Sequence, residues 1–266
     1  MTILDYGTLL GPKPIKLSIG SLRKPKLSEI YDLTFDRFIS YESLLKLTPE
    51  MYYTELKGDE GKAEWNTFDE DKKNSIELYQ LILSDDSLQN MYVEIFNFFF
   101  VESVIFQSPY FLLLNDGVNL QHELTKEDIS GVISEKTFMQ VIYFIQQTCC
   151  IFEKQKQSIE DLKFKNDIAK KMYQKMLKAQ EEQEKRSAKK ANKDHSLPNI
   201  ISAVSNRHPC LNPSSVWNLT VFQLIDSFNR LQVNAVYEIN QTRVSVWGDE
   251  KKTFDSALWY KNSHDN

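Results

Sequence analysis

At 266 residues, with 41% hydrophobic and 26% charged content, the chain can form one large domain or two modest ones and is not a wholly disordered protein. A net charge of −5 argues against wholesale attraction to nucleic acid or to an anionic membrane. Only 8 Gly and 8 Pro disfavour sandwiches and barrels, which need many tight turns, and favour long helices joined by short polar links.

In chain order, "PIKLSIGSL" (14–22) alternates apolar and polar residues and predicts a half-buried strand. From Ser28 to Lys46 the set Tyr31, Phe35, Phe38, Tyr41, Leu44 recurs at helical spacing and predicts one amphipathic helix. Thr48–Pro49 opens a short helix, with Thr as N-cap and Pro at the first helical position. The polar, Gly-containing 57–71 reads as a loop. Two helices follow, about 70–83 and 86–102, broken by "SDDS"; the second is apolar nearly all round and is expected at the centre of the core. Pro109 interrupts it, and "YFLLLND" fits a short strand ending in an Asp116–Gly117 turn, although periodicity does not separate strand from buried helix in so short a run.

Residues 134–153 give the cleanest helical stripe: Phe138, Val141, Ile142, Ile145, Cys149 and Phe152. Both Cys149 and Cys150 fall in this helix, with Cys149 on its buried side as a small inert hydrophobe. Composition then shifts. Residues 153–194 hold 13 Lys and Arg against 8 Asp and Glu, a local net of +5 that leaves −10 for the remainder. Ser158 with Asp161 is a capping-box pattern, and Leu162, Ile168, Met172 and Met176 form a thin stripe that fades into "QEEQEKRSAKKANKD".

Beyond this linker, Ser196 can cap a short helix with Ile200, Val204 and His208 on one face. "PCLNPSS" is a loop, and Thr220 with Gln223 is a capping box opening "VFQLIDSFNRLQ", whose Val221, Leu224, Ile225, Phe228 and Leu231 share a face. Trp247 and a Gly248–Asp249 turn follow. The expected architecture is mainly α, in three parts. Residues 1–152 form a helical globule with a small β element, 153–195 a charged helical linker, and 196–266 a small helical module.

The chemistry-bearing residues do not converge. Four histidines are scattered, and His208 with Cys210 has no second pair at metal-ligand spacing. No Gly-rich phosphate loop or G-x-S-x-G elbow is present, and the acidic pairs sit in polar breaks where Asp caps helices. The expectation is a non-enzyme with no cofactor and no metal. The three cysteines suit a reducing compartment, and neither a secretory leader nor a membrane-length apolar run is apparent, so the expected location is the cytoplasm. The linker lysines lack interleaved aromatics to stack bases, which disfavours nucleic acid. Trp and Tyr are efficient interface anchors, and Trp217, Phe222, Tyr237, Trp247 and Trp259 are the candidate partner-binding residues. Trp217 is equally suited to a packing role ahead of the capped helix.

"PIKLSIGSLRKPKLSEIYDLTFDRF" and, more strongly, "IISAVSNRHPCLNPSSVWNLTVFQLIDSFNRL" resemble segments of tail assembly chaperones of long-tailed phages of Gram-positive bacteria. Arg207, His208 and Pro209 with Trp217, Leu219, Thr220, Gln223, Leu224 and Asp226 carry the match; the middle of the chain is not distinctive. The resemblance implies a non-enzymatic protein of the host-cell cytoplasm that coats the tape measure protein and recruits tail tube protein, with room for self-association. Grooves between helices of 28–152 would hold tape-measure helices and the C-terminal module would engage tube subunits. The rival reading is a structural tail component of the virion, such as a completion or adaptor protein.

Overall fold

In a computed structural model, which describes residues 2–118, 124–151, 194–249 and 253–261, the chain is mainly α-helical with two small antiparallel sheets. It divides into two units, Met1–Ile151 with Asn218–Gln223, and Phe152–Trp217 with Leu224–Asn266. The six residues Asn218–Gln223 therefore belong with the N-terminal unit and not with the 196–266 module.

In the first unit, α1 (Tyr6–Leu10) starts at Asp5, whose Oδ2 accepts from the Thr8 N–H at 2.9 Å. The carbonyls of Thr8 and Gly11 at its far end accept from the Lys24 ammonium, so a cation meets the negative end of the helix. Lys24 is almost fully covered, and burial lowers its pKa. The expected single strand 14–22 is instead a hairpin, β1 (Ile15–Leu17) against β2 (Gly20–Leu22). The reversal runs through Ser18 and Ile19 into Gly20, which holds φ +148° and where an added Cβ would also overlap the Leu113 side chain.

The expected helix 28–46 is two helices, α2 (Leu27–Leu33) and α3 (Phe35–Leu45). Thr34 separates them at φ +81°, ending α2 while its hydroxyl accepts from the Arg37 N–H at the start of α3. A local side-chain bond of this kind competes with the helix ladder, and apolar periodicity is blind to it. Thr48 does cap α4 (Pro49–Met51), accepting from the Met51 N–H at 3.2 Å, and the chain runs on through a π-helical turn, Tyr52–Leu56.

Residues expected as a loop form α5 (Gly58–Thr67) and the start of α6 (Glu70–Ser75). Asp59 and Glu60 face the positive end of the α5 dipole, and Gly61 and Trp65 alone are buried, one helical turn apart. Two buried positions suffice because Trp65 stacks on Tyr53, with centroids 5.4 Å apart, and meets Phe68 edge-on. At Gly61 a Cβ would run into the Tyr53 carbonyl. The segment 70–83 also splits, α6 giving way to α7 (Leu78–Leu83) across an extended Ile76 and Glu77.

The central helix is α8 (Asp86–Phe99), capped by Asp85 through the Ser87 and Leu88 N–H groups. Tyr92, Ile95, Phe96 and Phe99 are fully buried, each contributing about 1.5–3 kcal/mol relative to an exposed side chain. The helix stops at Phe99 and not at 102, because the chain leaves it to pair with β2: Arg23 N–H donates to Phe99 O, and Val101 N–H to Ser21 O. Then β3 (Ser103–Gln107), β4 (Tyr110–Leu114) and β5 (Ile129–Ile133) form an antiparallel sheet in that order. Pro109 sits in the β3–β4 turn and does not break a helix. The strand expected at "YFLLLND" is β4; β3 and β5 were not anticipated.

Both outer strands of this sheet are occupied. The Asn97 amide donates to Val104 O and accepts from Val104 N–H on β3, acting as a one-residue strand. On β5, Gly131 lies against the Ile19 backbone so closely that no Cβ fits. Finally α9 (Glu135–Thr148) buries Phe138, Val141, Ile142, Phe144 and Ile145. It ends before the cysteines: buried Cys149 is its C-cap and Cys150 turns out at φ +54°. Tyr92 and Phe138 meet at 5.3 Å and Phe96 and Phe111 at 5.1 Å, while the Tyr92 hydroxyl donates to Leu44 O at 2.8 Å. The core is thus aromatic, with the Tyr92 phenol at its centre satisfied by backbone.

In the second unit, α10 (Leu197–Arg207) buries Ile200, Ile201 and Val204, and α11 (Val221–Trp247) runs for 27 residues, far past the expected end at Gln232. Its first turn, through Gln223, belongs to the first unit. The Ser158–Asp161 capping pattern, the Leu162–Met176 stripe and the lysine-rich linker lie outside the described residues.

Candidate protein-docking surface

The most patterned segment of the sequence resolves into three pieces. In the first, α10 ends at Arg207 and His208 is its C-cap, its N–H donating to Val204 O at 2.9 Å. His208 Nδ1 accepts from the Cys210 backbone N–H at 3.1 Å, so the two side chains are not joined through sulfur. Among the described residues no three His, Cys, Asp or Glu side chains come together as a metal site. In the second piece, Asn212 Oδ1 accepts from both Ser214 and Ser215 N–H at 2.9 Å and closes the loop "LNPSS".

The third piece is the capping box. Gln223 Oε1 accepts from Thr220 N–H at 3.0 Å and Thr220 Oγ1 from Gln223 N–H at 3.3 Å, which fixes where α11 begins. This turn is built into the first unit. Leu27 N–H donates to Leu219 O at 2.8 Å, Gln223 Nε2 to Leu10 O at 2.8 Å, and the Phe222 ring packs at 6.0 Å from Tyr6. Phe222 has no exposed surface, so of the five candidate partner residues it is the one closed off from any partner by its own fold.

The others lie elsewhere. Trp217 and Tyr237 are half-buried, and Tyr237 packs on Phe254 at 5.5 Å. Trp247 and Trp259 are exposed, by 77% and 52%, with Trp259 edge-on to Tyr260. The segment after α11 is turned by Asp249, whose carboxylate accepts from the Phe254 and Thr253 N–H groups at 2.9 Å. Those bonds, the Phe254 one foremost, hold its pKa below the usual carboxylate value.

Sequence reading missed the residues that stand between these aromatics. Val236, Ile239 and Val246 are exposed by 51%, 69% and 64% on the distal half of α11. Ile239 and Trp247, with Glu238, Thr242 and Arg243, line a shallow open groove of about 460 Å³. The signal was present: apolar residues continue at helical spacing from Phe228 through Ala235, Ile239 and Val246. The same side of α11 is buried at Val221 and Leu224 and bare from Val236 onward. Exposed apolar residues gathered on one side of a helix make this the candidate docking surface of the chain.

Among the described residues no helix is long and apolar enough to cross a membrane. No curated protein and no solved structure matches the chain. One family model does: residues 188–264, which include α10, α11 and the groove, match the family described as the YomV second domain, and that phage-associated match supports a phage origin.

Proposed function

We propose that this phage protein is a non-enzymatic tail assembly chaperone that docks an amphipathic helix of the tape measure protein on the distal half of α11. The observation that carries the reading is the bare apolar stripe of Val236, Ile239, Val246 and Trp247, inside the segment that matches a phage-associated family. Apolar side chains spaced along one helix face suit the helix-in-groove mode of recognition, in which anchors recur every three or four residues. The helices of the N-terminal unit offer less, since their apolar faces close on the Tyr92–Phe96–Phe138 core and leave only single exposed residues such as Tyr31, Ile39 and Met139. The client therefore docks on the C-terminal module and not between helices of 28–152. Recruitment of tube subunits rests on the family resemblance alone.

The test is a pulldown of the tape measure protein of the same phage by the full chain and by Ile239→Glu and Trp247→Ala. Loss of an exposed anchor should weaken capture by about tenfold or more. No capture by the unaltered chain, or equal capture by all three, would sink the proposal. Mass spectrometry of purified particles adds a second readout: a chaperone is absent from the mature virion, whereas the rival tail component is present.

A further inference from the structure

We infer that the bare stripe of α11 is also a self-association surface, covered in the free protein by the same stripe of a second copy, with the two helices parallel. The inference uses the docking surface proposed above but not the identity of the client. Its basis is the arrangement of charge around the groove. Residues 235–246 fit a heptad seam, with Ala235 and Thr242 at the d positions and Ile239 and Val246 at the a positions. In that register Glu238 falls at g and Arg243 at e, one on each wall of the groove.

Two parallel copies bring Glu238 of each helix beside Arg243 of the other, five residues on, which is the spacing of g-to-e ion pairs. In antiparallel copies g positions lie beside g and e beside e, so Glu238 of one helix and Arg243 of the other fall on opposite sides of the seam and cannot pair. The charges around the stripe are therefore self-complementary in the parallel orientation alone. Its size fits a weak contact: twelve residues of helix span about 18 Å, so the expected dimer sits at the small end of specific interfaces. The dissociation constant should be on the order of micromolar. A client helix offering more apolar area would displace the second copy, so that self-association shields the stripe until a client arrives.

Sedimentation equilibrium of the full chain over a wide concentration range tests this, with no client present. Monomer and dimer should interconvert with concentration. Glu238→Arg alone and Arg243→Glu alone each replace two attractive pairs by two repulsive ones and should weaken the dimer by about tenfold. The double variant, with the charges exchanged, should recover the original affinity to within about threefold. A chain that stays monomeric at all concentrations overturns the inference, as do single variants that dimerise unchanged, which is the antiparallel result. A dimer whose double variant stays as weak as the singles overturns it too. Because only this chain is present, failure here leaves the pulldown result untouched, and failure of the pulldown leaves this one untouched.

Discussion

Phe222→Ala separates a structural role from a binding role within the segment that carries the family resemblance. Phe222 has no exposed surface and packs on Tyr6 in a turn tied to the first unit by Leu27 N–H to Leu219 O and by Gln223 Nε2 to Leu10 O. Truncating a fully buried Phe removes its transfer free energy and leaves a cavity, together about 3–5 kcal/mol. That is a large share of the roughly 5–15 kcal/mol of a typical domain. The unit spans Met1–Ile151 and Asn218–Gln223, a size at which each kcal/mol lowers Tm by about 2–4 °C. The expected drop is therefore about 6–20 °C in a melt followed by near-ultraviolet circular dichroism, which reports the aromatic core. Trp247→Ala, at 77% exposure, should move Tm by no more than about 2 °C, since surface changes stay within roughly 0.5 kcal/mol. A Phe222→Ala protein that melts with the unaltered chain, or a Trp247→Ala protein that loses as much stability, would refute the assignment of one ring to the fold and the other to the surface.

Two further outcomes follow from buried titratable groups. Burial pushes the Tyr52 and Tyr79 phenols up to about 12 from 10.0, helped at Tyr52 by its bond to Asp85 and at Tyr79 by the charge of Glu135, and raises Tyr92 as well. The folded state holds these protons where the unfolded state has released them, so stability is intact below pH 10.0 and falls as pH rises towards about 12. Tyrosinate absorbance and loss of near-ultraviolet dichroism should rise together in that window; stability that increases with pH there would contradict the reasoning. Among the thiols, exposed Cys210 should react first with a disulfide reagent, while Cys149, whose thiol burial pushes up, should stay silent until denaturant is added. Rapid labelling at Cys149, read by mass spectrometry of the peptides, would show that α9 does not seal it.

What the sequence made legible was set by how strongly a residue's effect is local. Thr48 before Pro49, Asp85 before α8, and Thr220 with Gln223 all act on N–H groups three residues away, and each cap lies where residue order alone puts it. The α8 core was legible for a different reason, because an all-round apolar helix has nowhere to go but inside. Elements held by distant partners were hidden. The strand β3 follows α8 without a change in apolar content, and what ends the helix is the Val101 N–H bond to Ser21, 80 residues away in sequence. Likewise α5 carries eight non-apolar residues around Ala63 and Trp65, and only contact with Tyr53 tells that pattern from a loop. At the docking surface Trp247 was found from residue type, while Ile239 and Val246 were passed over because the helix was ended fifteen residues early.

That early ending bears on function through the physics of helix formation. An isolated segment as short as 236–247 is marginal as a helix in water, because its first turn must be nucleated at a loss. In α11 the first turn is already fixed by the Thr220–Gln223 box, and Phe222 within it and Leu224 just after it are fully buried. Each residue beyond them extends an existing helix, so Ile239, Val246 and Trp247 stand in register before any partner arrives. Ordering entropy, which commonly consumes several kcal/mol when a flexible segment folds on its target, is then largely absent from the docking step. The buried start of α11 and its bare end are in this sense one device: the part of the motif that no partner touches is what makes the rest a surface worth docking on.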